Sequence, residues 1–369
     1  MSSKTRNTII AGWVVALASL IPTVTLAGPA EADVGPTFQS MGPLSFGPNN
    51  VLFAADNQAA TIYALDVGSH AIGKSKGTQA IEGIDKKIAS MLGTDAREIA
   101  ITDIAVHPES RNTFVSVARG QGAGSQAVLL RVDGEANIDL VDLDSLSYTK
   151  ATLPNAPTAD PNARRDPRQA TVTDMAFVSG RLWIAGLSNE EFASKLRALP
   201  FPFKKADAGT SVEIYHGAHG KLETRSPVRT FTNITIDNEP HLLAAYTCTP
   251  LVQFPMNDLK PGSKIRGTTL AELGNRNRPL DMFVYQKGKE SFILIANNAR
   301  GIMKVSTKGI ESIKGIDSRV ARGETAGLNY DTIKDWQGVE QLDRYNEAHA
   351  IVVQRSESAG LSLTTLPLP

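Results

Sequence analysis

"ITDIAVHP", residues 101–108, returns as "VTDMAFVS", residues 172–179, each time with a Thr-Asp pair ahead of an alternating apolar run. Period-two alternation bounded by Gly, Asn, Asp and Pro is the mark of antiparallel strands. Four further segments follow the same plan, so that six units begin at residues 43, 101, 172, 232, 279 and 338. Each holds a short apolar stretch, a polar turn, a stronger apolar stretch, a second turn and a third alternating stretch. Self-similarity at this period points to propeller blades rather than a sandwich. The expected fold is therefore all-β: a β-propeller of six blades, with seven as the alternative. The last unit has room for three strands only, and "VGPTFQS", 34–40, is expected to supply its outer strand and close the ring. Closing the ring removes the exposed sheet edge of an open array.

Two segments depart from the strand pattern. Ile81, Ile84, Ile88, Met91 and Leu92 recur at helical intervals within 77–96, which predicts a helical insertion. The stretch 154–169 is Pro-rich without apolar period and reads as a loop. At the N-terminus, "MSSKTRNT" precedes the apolar run "IIAGWVVALASLIPTVTLA" and small residues at Ala27 and Ala32. This is the layout of a signal peptide over 1–32, followed by a single domain over 33–369. The expected location is periplasmic or secreted. No integral membrane association is expected after cleavage, because a span wants about 20 apolar residues.

Composition narrows the function classes. Lys plus Arg and Asp plus Glu number 38 each, so no nucleic-acid footprint is expected. The lone Cys248 cannot form an intramolecular disulfide, and stability must come from an ordinary core. Hydrophobic residues at 41% are enough for one, and 30 Gly with 20 Pro suit many turns.

Aligning the units on their first strand places Asp103, Asp174, Asn233, Asp281 and Glu340 at one register, with Pro43 in the first unit. In a propeller the first strands line the central channel, so these residues are expected to ring one mouth. Converging carboxylates repel unless a cation, an Arg or protons compensate. Oxygen-only ligands suit a divalent cation, calcium above all. Asn297 is a further candidate ligand. Ends of second strands share the mouth face, which brings Arg119, Arg355, Ser188 and Asn189 towards it. The 189–210 segment, with Phe192 and Phe201, is expected to hang over the mouth as a lid. "HGAH", His216 to His219, is expected on the opposite face.

With "VLFAADNQAATIYALD", 51–66, in its first unit, the chain resembles the gluconolactonase, paraoxonase and strictosidine-synthase-like superfamily of six-bladed propellers, and also the broad set of exported bacterial propellers without assigned chemistry. The resemblance implies calcium in the channel mouth held by Asp103, Asp174, Asn233, Asp281 and Glu340, with Asn297 as an addition. It implies a cation that polarises the carbonyl of a lactone or ester and orients the attacking water. Asp281 or Glu340 is the expected general base. Two alternatives stay open: a non-catalytic propeller that binds a protein partner or small ligand on its loop-rich face, and a copper or redox module using His216, His219 and Cys248.

Overall fold

The computed structural model describes residues 35–369 apart from 74–76, 161, 249 and 322; the signal peptide expected over 1–32 lies outside the described residues. Six antiparallel sheets form a six-bladed propeller. Numbered in chain order, the innermost strands are Leu44–Phe46, Ile99–Val106, Asp174–Val178, Val228–Ile236, Pro279–Lys287 and Val339–Arg344. The second strands are the most apolar because a neighbouring blade covers each of their faces. Val51–Asp56 is buried along its whole length, and Ile293, Leu294, Ile295 and Ala296 are fully buried in succession. Turn chemistry is local: Asp237 and Asn238 both take positive φ, 50° and 63°, the backbone of a type I′ hairpin.

The order of blades around the ring is not the order of units along the chain. Blade 1 packs between blades 2 and 3, and blade 2 packs between blades 1 and 6. The ring therefore runs 1, 3, 4, 5, 6, 2 and back to 1, with one apolar cluster filling each of the six seams. Two exchanged outer strands make this possible. Tyr148–Thr152, which follows blade 2, pairs with Thr61–Asp66 and completes blade 1. Ala80–Ile81, which follows blade 1, pairs with Leu363 and Thr364 and completes blade 6.

The closing strand is thus 80–81 and not 34–40. Residues 35–40 form no strand; the Gln39 and Ser40 amides donate to Asp56, and Phe38 packs on Tyr63 in blade 1. The predicted helix is present as Ile84–Leu92, between Gly83 and Gly93 in the left-handed conformation. Its Ile84 and Ile88 are buried in the seam of blades 2 and 6 while Met91 faces solvent. The expected lid is not one. Ser194–Pro200 is the third strand of blade 3, and the amide of Phe201 donates to Gly180 O in the turn farthest from the mouth. Phe201 and Phe203 pack there on Phe53, because apolar rings in that position are worth more inside a seam than over water.

Candidate functional site at the channel mouth

A cavity of about 800 Å³ opens where the innermost strands begin, and a second chamber of about 290 Å³ lies deeper in the channel. Asp103, Asp174 and Asp281 line both, so they form a collar between the two. Asp343 joins them from the deeper chamber. The repeated acid therefore does sit in the channel, as its position ahead of an alternating strand implies.

Its immediate work is structural. Asp174 Oδ2 accepts the Phe231 amide at 2.8 Å and the Thr230 hydroxyl at 2.8 Å, tying blade 3 to blade 4. Asp103 Oδ2 accepts the Leu44 amide of blade 1 at 2.6 Å, and Asp281 Oδ2 the Leu342 amide of blade 6 at 2.8 Å. Asp343 Oδ2 accepts the Val106 amide of blade 2 at 2.7 Å. Four of the six seams are pinned in this way, always in the same direction around the ring. Asp103, Asp174 and Asp343 also spend the second oxygen on a backbone amide of their own strand. Asp281 Oδ1 alone has no protein partner among the described residues.

Burial dominates the electrostatics of the collar. It raises Asp174 and Asp343 to about 6 despite the amide donors. Asp103 and Asp281 are pushed well above the usual carboxylate range, by burial first, with repulsion from Asp281 and Asp174 respectively adding to it. Above the collar stand cations. Arg229 and Arg278 line the mouth, and neither guanidinium has a hydrogen bond or ion pair among the described residues. Burial, then the neighbouring charges of Arg278 and Arg165, bring Arg229 down to about 10. Arg355 also lines the mouth but is paired with Glu340 through two hydrogen bonds.

The remaining residues singled out in the sequence are dispersed. The residues that share the Asp174 position, judged from strand pairing, are Pro43, Asp103, Thr230, Asp281 and Gln341. Asn233 lies three residues further along, exposed and outside both chambers. Glu340 occupies a β-bulge between Val339 and Gln341; it does line the mouth, paired there with Arg355, but not the deeper chamber. Asn297 is buried in a turn, accepting the amides of Ala299 and Arg300 and donating to Asn277. Arg119 bonds Gln126, Ser188 is buried, Asn189 is exposed, and Phe192 lies under the Lys264 ammonium; none lines the mouth. Arg229, Arg278 and Asp343 are the residues the repeat alignment does not reveal. Only "NRNRPLD", 275–281, carries a visible hint, with an Arg three residues ahead of the repeated acid.

Calcium, implied by the superfamily resemblance, does not fit this collar as it stands. Seven of the eight collar oxygens already accept protein hydrogen bonds. Among the described residues, the one group of three His, Cys, Asp or Glu side chains whose donor atoms lie within 4.8 Å of one another is His216, His219 and Glu223. That group sits at the mouth end of blade 3, not on the opposite face. Its strand, Thr210–His216, is the fourth of the blade and runs towards the mouth, past the start of Ser194–Pro200. Cys248 is not part of it; Glu223 takes that place.

No protein-family model and no curated protein matches the chain. Solved structures resemble it in overall shape only. The PQQ-bound aldose sugar dehydrogenase of Streptomyces coelicolor is 12% identical, with 92% of this chain and 97% of that chain covered at a TM-score of 0.35. The luciferin-regenerating enzyme is 12% identical over 92% and 94% at 0.31. Drosophila semaphorin 1a, extracellular domains 1–2, is 9% identical over 93% and 89% at 0.39. The function must therefore be read from the site itself.

Proposed function

We propose that the channel mouth binds a small organic anion and that the protein hydrolyses an ester or lactone group within it. The observation that carries this reading is the pair Arg229 and Arg278, two guanidinium groups without acidic partners that open on a cavity of about 800 Å³. Adjacent cations in a partly dry site repel each other, and an anionic ligand relieves that repulsion while using their fixed donor geometry. Asp281 is the proton-exchanging group: one oxygen holds blade 6, the other faces the cavity, and burial raises its pKa well above the ordinary carboxylate range. Asp174 and Asp103 beside it hold the floor in shape. The basic and apolar start of the chain supports export, and with it a role for this chemistry outside the cytoplasm.

The test has two stages. A panel of small carboxylates and phosphate esters is screened by thermal shift on the full chain, then on Arg229→Gln/Arg278→Gln. Stabilisation by an anion that disappears in the double variant is the expected result; no anion effect, or one that survives, overturns the site. The anions that bind then identify esters and lactones for turnover assays, in which Asp281→Asn is expected to keep binding and lose hydrolysis.

A further inference from the structure

His216 and His219 lie on the hairpin that joins Thr210–His216 to Lys221–Glu223, and the turn folds both rings onto one carboxylate. His216 Nδ1 is 3.1 Å from Glu223 Oε2 and His219 Nδ1 is 2.6 Å from Glu223 Oε1. The ring centroids are 3.8 Å apart. The Ser226 hydroxyl also donates to Glu223 Oε2. Nothing in the collar or the mouth uses these residues.

The second observation concerns buried groups beside the His216 hairpin. His216 is 2% exposed, yet its Nε2 has no hydrogen-bond partner. Glu272, 1% exposed on blade 4, spends Oε1 on the Gly217 amide and leaves Oε2 buried without a partner. If Nδ1 of each His carries the proton given to Glu223, then His216 Nε2 and Glu272 Oε2 are two buried acceptors with no donor. Each such group bears the desolvation penalty of burial with no bond to offset it. A metal ion on the Nδ1 side resolves both. The ion takes Nδ1, the single ring proton of His216 moves to Nε2, and Glu272, already bonded to the Gly217 amide, turns Oε2 to accept it. A carboxylate behind the ring is the usual support of a metal-bound imidazole.

We propose that His216, His219 and Glu223 bind a divalent ion of the zinc class through two imidazole nitrogens and one carboxylate oxygen, with Glu272 supporting His216 from behind. Mixed nitrogen and oxygen ligands select zinc or its late first-row neighbours over calcium and magnesium. Three protein ligands leave the fourth tetrahedral position for water or an outside ligand, on the same face as the channel mouth. The His219 side chain is 45% exposed, which gives the ion an entry path.

The experiment is calorimetric titration of chelator-treated, full-chain protein with Zn²⁺ alone. One ion per chain is expected, with binding abolished in His219→Ala and weakened about ten- to a hundredfold in Glu272→Gln. His219 is exposed enough for its replacement to leave the fold intact, checked by circular dichroism. Asp281→Asn serves as the control and is expected to bind zinc as the parent does, which keeps this site separate from the anion site of the mouth. Absence of stoichiometric uptake, unchanged affinity in His219→Ala or in Glu272→Gln, or loss of uptake in Asp281→Asn overturns the proposal.

Discussion

Asp174 shows how one residue type can be legible while its task is not. A Thr-Asp ahead of a strand marks the mouth in blades 2 and 3, and both acids are there. That the carboxylate reaches across a seam to Phe231 and Thr230 depends on the next blade's backbone, which no local pattern encodes. Asp174→Ala strands the Phe231 amide in a buried seam and is expected to cost about 1–3 kcal/mol in denaturant unfolding. Asp343 pins a different seam but also repels Asp174, and either single variant already relieves that repulsion. The double variant Asp174→Ala/Asp343→Ala relieves it only once, so it should lose more than the sum of the two single losses. The collar also fixes a pH dependence. Asp174 and Asp343 stand near 6 in the fold against an ordinary 3.8, so the folded protein holds more protons than the unfolded chain between those values. Their contribution is full below about pH 4 and is lost as the pH rises through 6. The melting temperature of metal-free protein should therefore fall from about pH 4 to about pH 7, and less steeply in Asp174→Asn/Asp343→Asn.

At the scale of elements, second strands and the helix are the best-read parts, because burial on two faces or one face leaves a direct trace in apolar spacing. Bulges are the worst. The inner strands of blades 2, 4, 5 and 6 shift register at the mouth, between Ile101 and Asp103, Val228 and Thr230, Pro279 and Met282, and Val339 and Gln341. An extra residue there changes which side chain reaches the collar, and Glu340 stays above it at the mouth, paired with Arg355, for that reason. The two-residue strand Ala80–Ile81 is too short to carry any alternation, yet it closes blade 6. Ile81, 2% exposed, fills the seam of blades 2 and 6, and Ile81→Ala is expected to cost about 2–5 kcal/mol. Thermal unfolding of that variant, compared with Met91→Ala on the exposed side of the helix, checks the assignment.

For the whole molecule, the exchange of outer strands makes blade 1 a piece held by pairing and packing as much as by its covalent link. It is clasped by Tyr148–Thr152 and by the seams of blades 2 and 3. A single proteolytic cut at Ile72, 72% exposed, should leave both fragments in one particle by size exclusion, parting only in denaturant. The sequence by itself determined the all-β class, a propeller of six or seven blades and the presence of acids at the channel, since each rests on strand alternation within about 10 neighbouring residues. Only the tertiary structure decided the blade order, the true closing strand, the pairing of Arg229 with Arg278, and the meeting of Glu272 with the His216 hairpin. Those are contacts between residues tens to hundreds of positions apart, selected by which seams pack best. Closing a longer loop costs only about 0.6 kcal/mol per doubling of its length, so chain distance writes almost nothing of such choices into the local pattern.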